Sequence, residues 1–410
     1  MPFFSKKANI LKLFYSIGEF LQIISKHFFT FAEEIKKQTE NSMHFSDLFK
    51  VGLIPDTNKI NSISEFASLK DTPQSKKYHH EGDAYKHTML VVDAMREIIS
   101  TLEHPSHEYK LTLMAAALCH DLGKVTTTYF DGSKQDYACK NHGAEGEKII
   151  RSLFFDEEPK LLNNVCSLVR HHMAFHHIFD GGKDTKNKLI TMSLYPMSIK
   201  EHLFMNIADK KGTVNETETD DFIKAHFDRI KSEAEELGIF EQPYLFKTTE
   251  ERRLFFNPKA NIDKPKFTMF VMIGLPGSGK NYYIEKFLST VLEISRDDIR
   301  TKIGIKGEKP QGNKEQEEYV TQIFNDEVIK CCKEQKDFVI NNTNVKKQYR
   351  DGYRNLVKRY NPYIVYILLN TDVDTCKERR KGLMPLTVID KMAKNFDYPD
   401  PSEYDELIIV

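Results

Sequence analysis

The 410-residue sequence has almost no net charge, with 59 lysines and arginines against 60 aspartates and glutamates. A global basic field that would draw the chain to nucleic acid is therefore excluded, and a polyanionic substrate would need a local basic groove. Cysteine is scarce. Cys119, Cys139, Cys166, Cys331, Cys332 and Cys376 show no CxxC spacing, which excludes a disulfide framework and reads as the reduced thiols of a cytoplasmic protein. Long uncharged apolar runs are also missing. Residues 10–31 carry Ile10, Leu13, Phe14, Ile17, Phe20, Leu21, Ile24, Phe28 and Phe31, but Lys12, Glu19, Gln22 and Lys26 interrupt them. That pattern excludes a bilayer span and a signal-peptide core. It predicts an amphipathic helix in an N-terminal extension (1–40), packed on its own protein, on a partner or on a second copy, with no stable membrane association.

Histidine is absent from the last 184 residues. All 15 lie at or before His226, and 11 of them fall between His79 and His177. The two parts differ in periodicity as well. Up to about residue 240 the chain reads as helix after helix, as in "AYKHTMLVVDAMREIIS" and "YKLTLMAAALCHDLG". Beyond it, short apolar runs ("FTMFVMI", "DFVIN", "YIVYILL") alternate with polar helical stretches, the pattern of βαβ units on a parallel sheet. The expected organisation is an all-α helical bundle over 41–240, a charged, proline-containing linker over 241–265, and an α/β domain over 266–410, with separate cores.

In the histidine-rich part, His120 and Asp121 end an apolar helix, "LMAAALC", that would carry both into a bundle core. His87 sits on a preceding helix and Asp209 on a later one. Two imidazoles and two carboxylates from separate helices make a mixed nitrogen/oxygen donor set, suited to Mn, Fe, Co, Ni or Zn. Such an ion would support metal-assisted phosphoester hydrolysis. His104, His107, His176, His177 and His202 read instead as hydrogen-bonded core residues.

The segments "HHEGDAYKHT", "CHDLGK", "HGAEG" and "ADKKG", spread over residues 44–212, resemble the HD-domain phosphohydrolases, most closely those attached to bacterial CCA-adding enzymes. The resemblance implies that His87, His120, Asp121 and Asp209 bind a divalent transition metal such as Mn2+, Co2+, Ni2+ or Fe2+. It further implies His142 and His172 (or its neighbour His171) as ligands of a second ion, Lys124 beside the substrate phosphate, and His79, Glu81 and Asp83 as supports of the first ligand. No nucleotidyltransferase head is expected upstream, so a CCA-adding role is not.

In the second part, "GLPGSGKN" (274–281) follows an apolar strand and opens a helix. Gly274, Gly279 and Lys280 have the spacing of a phosphate-binding loop, whose backbone N–H groups turn onto phosphate oxygens while the lysine reaches the terminal phosphates. Pro276, Gly277 and Ser278 complete it. Asn281 stands where such loops carry Ser or Thr, and the strand position for a metal-binding acid holds Asn341 and Asn342. In "SRDDIR", Asp297 could accept the proton of an attacking hydroxyl, and Arg379 with Arg380 of "CKERR" could swing over the phosphates. Cys331 and Cys332 read as core. Lys346, Arg350, Arg354 and Lys358, four apart, read as a solvated helix face, the alternative being an RNA-facing stripe.

These motifs, with "NTN" and the closing "PLTVIDKMAKNFDYPDPSEYDEL", resemble the polynucleotide kinases. The resemblance implies ATP and Mg2+ as cofactors, Asp297 as general base toward a 5′-hydroxyl, Arg300 on a phosphate of the acceptor strand, and Arg379 and Arg380 as lid arginines. An HD phosphohydrolase ahead of such a kinase resembles the HD-Pnk type of end-healing enzyme, acting on RNA or DNA ends to make them fit for an RNA ligase. The alternative is a nucleotide-metabolising HD hydrolase joined to an ATP-sensing or RNA-binding pseudokinase.

Because the Asn281 side chain is longer than serine and Mg2+ demands short octahedral contacts, Asn281→Ser is expected to lower the Mg2+ concentration needed for half-maximal phosphorylation. An added Asn342→Asp is expected to lower it further. A Mg2+ titration of kinase rate checks both.

Overall fold

A computed structural model of the chain describes residues 43–176, 178–179, 184–214, 220–304 and 314–410. The expected helix within 10–31 and His177 lie outside them. Residues 44–410 form one compact unit, and no described helix is long and apolar enough to cross a membrane.

The first half is a bundle. Helix α1 (Ala84–Ser100) starts at Asp83, whose carboxylate accepts from Lys86 N–H. Helix α2 (His107–Cys119) is buried at every position from Leu111 to Cys119, the signature of a central helix. Around these lie α3 (His142–Leu153), α4 (Pro159–Arg170), α5 (Thr185–Ser193), α6 (Ile199–Gly212) and α7 (Asp220–Glu236). Two close approaches fix the centre. A Cβ on Gly212 would lie 2.5 Å from Val91 Cγ2 and 2.7 Å from its backbone nitrogen, so α6 can press onto α1 only with glycine there. A Cβ on Gly123 would collide with the His142 carbonyl, so α3 likewise closes onto the turn after α2. Two small antiparallel hairpins, Phe49–Lys50 with Ile54–Pro55 and Thr128–Asp131 with Asp136–Cys139, interrupt the helical pattern.

The second half is a five-stranded parallel sheet. Its strands are β1 (Thr268–Ile273), β2 (Leu292–Ile294), β3 (Phe338–Ile340), β4 (Tyr363–Leu368) and β5 (Glu406–Ile409), in the spatial order β2-β3-β1-β4-β5. Alternate residues face opposite sides. Met269, Val271, Ile273, Ile294, Phe338 and Ile340 pack with Phe324, Val328, Cys331 and Cys332 of one helix (Lys314–Glu334), so the paired cysteines are core. Met272, Val339, Val365 and Ile367 pack with Ile284 on the other side.

The stretch 241–265 contains a helix, α8 (Thr249–Phe256), whose Arg253 makes a bidentate pair with Asp405 at 2.7 and 2.5 Å. The cores are not wholly separate either. Phe155, on the loop between α3 and α4, packs against Leu275, Val345, Val373, Cys376, Ile389 and Ala393 of the second half. Beside it Lys377 lies 3.6 Å from Asp156 and 2.7 Å from Asp390, and Tyr195 donates to Asp400 at 2.7 Å.

The four-residue basic repeat needs correction. Arg350 is fully buried, held by Glu403 at 2.8 and 3.2 Å and donating to the Asn344 carbonyl at 3.1 Å. Arg354 is tied to Asp351 and the Ser402 carbonyl. Two members of the repeat, Arg350 and Arg354, therefore stitch the helix Lys347–Val357 to residues 402–403, while Lys358 is exposed. His104 and His107 are corrected too, being exposed rather than core.

Glu403→Ala would leave the Arg350 guanidinium buried and unpaired, and is expected to cost about 3–5 kcal/mol, measured by denaturant unfolding of the full chain.

Candidate active sites

The turn after α2 aims Asp121 into the bundle, 1% exposed, with its Oδ1 accepting no hydrogen bond. Four histidines converge on it from two sides. On the Oδ2 side, His120 Nε2 stands at 3.2 Å and His87 Nε2 at 3.7 Å, with Asp209 Oδ1 2.9 Å from His87 Nε2 and 3.6 Å from His120 Nε2. On the Oδ1 side, His142 Nε2 stands at 3.6 Å and His172 Nε2 at 3.8 Å, the two nitrogens being 2.9 Å apart. One carboxylate thus faces two clusters. His120 donates Nδ1–H to the Ala117 carbonyl (2.8 Å) and His172 to that of Val169 (2.7 Å), which leaves each Nε2 as an inward lone pair.

The charges suit a cation. Burial alone would raise the Asp121 carboxyl, but His120 and Lys124 hold it well below the carboxylate range. Asp209 is likewise held low against burial by His176 and His87. Burial pushes His142 down to about 4 and His172 well below the usual range, so both are neutral imidazoles. Burial opposes charge on His87, but hydrogen bonds to Asp209 and Glu81 outweigh it and raise its pKa to about 9. Glu81 bridges His79 (2.7 Å) and His87 (3.0 Å), whereas Asp83 serves as the cap of α1. An orphaned buried carboxylate oxygen, inward imidazole lone pairs and a mixed nitrogen/oxygen donor set fit a divalent metal.

Of the adjacent histidines, His172 faces the centre while His171 packs against Tyr195, the rings tilted and their centroids 4.3 Å apart. His202 is buried beside Ser167. His176, read as core, lies 3.2 Å from Asp209 Oδ2; only its spacing from His172, one helical turn, could have drawn attention to it. Lys124 is buried, 2.7 Å from Asp121 Oδ2, and donates to Gln74 at 2.6 Å, a partner with no sequence signal.

In the second half the loop 274–279 joins β1 to α9 (Lys280–Phe287). Lys280 donates to the Gly274 (3.0 Å) and Leu275 (2.8 Å) carbonyls, and burial lowers its pKa to about 8. Thr371 ties the loop through the Ser278 carbonyl at 2.8 Å. Arg379, on α10 (Val373–Arg380), donates to the Gly277 carbonyl at 3.1 Å. A Cβ on Gly277 would meet the neighbouring Arg380 side chain. Pro276 is buried within the loop. Just past β2, Asp297 is 81% exposed, 2.6 Å from Arg300, which also makes a bidentate pair with Glu317 at 2.9 Å. Asn281 Oδ1 accepts from Asn341 at 2.9 Å. Asn342 turns away and donates to Tyr353 at 3.3 Å, so of the two asparagines it is Asn341 that faces the loop.

The HD domain family matches residues 84–212, and the AAA domain family residues 269–397. The chain is an HD domain joined to a P-loop, kinase-like AAA domain. That order of domains agrees with the resemblance to the HD-Pnk type that the motifs carry. The chain is 26% identical over 202 residues to a multifunctional CCA protein of Mannheimia succiniciproducens (48% of this chain, 45% of that protein). A 63-residue stretch is 40% identical to the multifunctional CCA protein of Actinobacillus pleuropneumoniae (15% and 14%). A protein of Autographa californica nuclear polyhedrosis virus, named a putative bifunctional polynucleotide kinase/RNA ligase, is 28% identical over 151 residues (33% and 22%). The chain thus spans less than half the length of each.

Added Mn2+ or Ni2+ is expected to raise the thermal midpoint of the full chain, by about 2.7 kcal/mol of stability at a hundredfold excess over Kd. Asp121→Asn, nearly the same shape, is expected to lose most of that gain. Scanning fluorimetry with and without metal checks it.

Proposed function

We propose that the protein heals broken nucleic-acid ends, RNA foremost: the P-loop domain phosphorylates a 5′-hydroxyl with ATP, and the HD domain removes a 2′,3′-cyclic or terminal phosphate. The observation that carries this reading is the pairing, within one compact unit, of a buried His/Asp centre flanked by an ammonium group with a phosphate-binding loop flanked by an exposed carboxylate.

In the kinase step the 5′-oxygen attacks the γ-phosphorus, the bond from γ-phosphorus to the bridging oxygen breaks, and ADP leaves. Asp297, open to solvent beyond the carboxyl end of β2, takes the hydroxyl proton. Arg300 holds that carboxylate in place and contacts the incoming strand. Lys280 exchanges its loop carbonyls for phosphate oxygens, and Arg379 and Arg380 cover the transferring group. In the hydrolytic step water adds to phosphorus and the ester bond breaks. His87, His120, Asp121, Asp209, His142 and His172 would hold a divalent metal, which would supply Lewis acidity at the phosphoryl oxygen and ease deprotonation of the attacking water. Lys124 donates to the phosphate. The products, a 5′-phosphate and a 2′/3′-hydroxyl, are the ends a ligase joins.

A second reading, an HD hydrolase of free nucleotides with an ATP-binding pseudokinase, is favoured by the neutral Asn281–Asn341 pair. One RNA with a 5′-hydroxyl and a 2′,3′-cyclic end, supplied with ATP and divalent metal, separates the two. Wild type is expected to convert both ends. Asp297→Asn is expected to lose at least about a hundredfold in 5′-phosphorylation only. His120→Ala with Asp121→Ala is expected to abolish phosphate removal while sparing the kinase. Full 5′-phosphorylation by Asp297→Asn, or loss of both activities in a folded His120/Asp121 double variant, would overturn the assignment.

A further inference from the structure

The nucleotide site is short of negative charge where a cation is needed, since Asn281 and Asn341 are neutral. The sheet corrects this from an adjacent strand. Glu293 lies on β2, in parallel register with Val339 of β3, and Asn341 N–H continues the ladder by donating to the Ile294 carbonyl at 3.0 Å. Val339 faces the α9 side of the sheet, whereas Ile294 and Ile340 face the other. Alternation therefore brings both Glu293 and Asn341 to the α9 side, where the phosphate-binding loop enters its helix. Their side chains meet there: Asn341 Nδ2 donates to Glu293 Oε1 at 2.6 Å and to Asn281 Oδ1 at 2.9 Å.

We propose that Glu293 supplies the carboxylate for the divalent cation of the P-loop site, in place of the acid missing at Asn341. The proposal rests on the ATP-dependent reading of this domain. Two oxygens from different elements, one anionic, are gathered on a single amide, close enough for one six-coordinate cation and its retained waters to span them. Glu293 is exposed, so it meets a hydrated ion without first paying for burial. Its side chain is one methylene longer than aspartate and starts one strand further out, which brings its carboxylate back beside Asn341. Asp297 cannot take this part while it serves as proton acceptor and pairs with Arg300.

The test uses the full-length protein, Mn2+ as a paramagnetic probe and ADP. Glu293→Gln keeps the shape and an acceptor for Asn341 but removes the charge. Wild type should bind ADP in EDTA and bind Mn2+ more tightly when ADP is present, read by electron paramagnetic resonance. Glu293→Gln should leave ADP affinity in EDTA unchanged and weaken Mn2+ in the ADP complex at least about tenfold. Glu293→Gln with Asn341→Asp should recover most of the loss, because the charge returns to the same few ångströms. Unchanged Mn2+ affinity in Glu293→Gln, or no recovery on adding Asn341→Asp, would overturn the proposal. Failure of wild type to bind ADP in EDTA would instead overturn the nucleotide-site reading beneath it.

Discussion

A buried carboxylate that its own helix cannot neutralise organises the first half of this protein. Asp121 ends a helix buried on every side, so its charge sits where an isolated carboxylate would cost several kcal/mol. Lys124 reaches back from the following turn, His120 comes from the preceding position, and His87, His142 and His172 arrive from other segments, while Asp209, a second carboxylate, pairs with His87 and His120. The close contacts at Gly123 and Gly212 follow from the same demand, because α3 and α6 must come near enough to bring their side chains to one carboxylate.

The P-loop half solves a related problem by moving charge between strands. Its site carries amides at the two positions where the cation's ligands are expected, and an anion bonded to one of them, Glu293, is carried by a different strand. Parallel register makes such an exchange cheap, since neighbouring strands present side chains level with one another on the same face. Asn342 and Asn341 are adjacent in sequence but face opposite sides, and only one of them can take part.

The two halves also depend on each other. The helix bearing Arg379 packs through Val373 and Cys376 onto Phe155, and Lys377 meets Asp156. The position of Arg379 and Arg380 is thus set partly by a loop between two helices of the HD domain.

The sequence by itself determined the two fold classes and the loop at 274–281, and it singled out the pair His120–Asp121, which the fold brings together with His87 and Asp209. Each of these is written in local order: hydrophobic periodicity, glycine spacing, or a polar pair at the end of an apolar helix. Tertiary structure alone decided which of His171 and His172 faces the centre, that His176 stands beside Asp209, that Arg350 is buried against Glu403, and that Glu293 meets Asn341. Those pairings span from about thirty to more than fifty residues of chain, or turn on a single step of backbone rotation. No local pattern encodes them, because they arise only when separate helices and strands bring distant side chains onto one face.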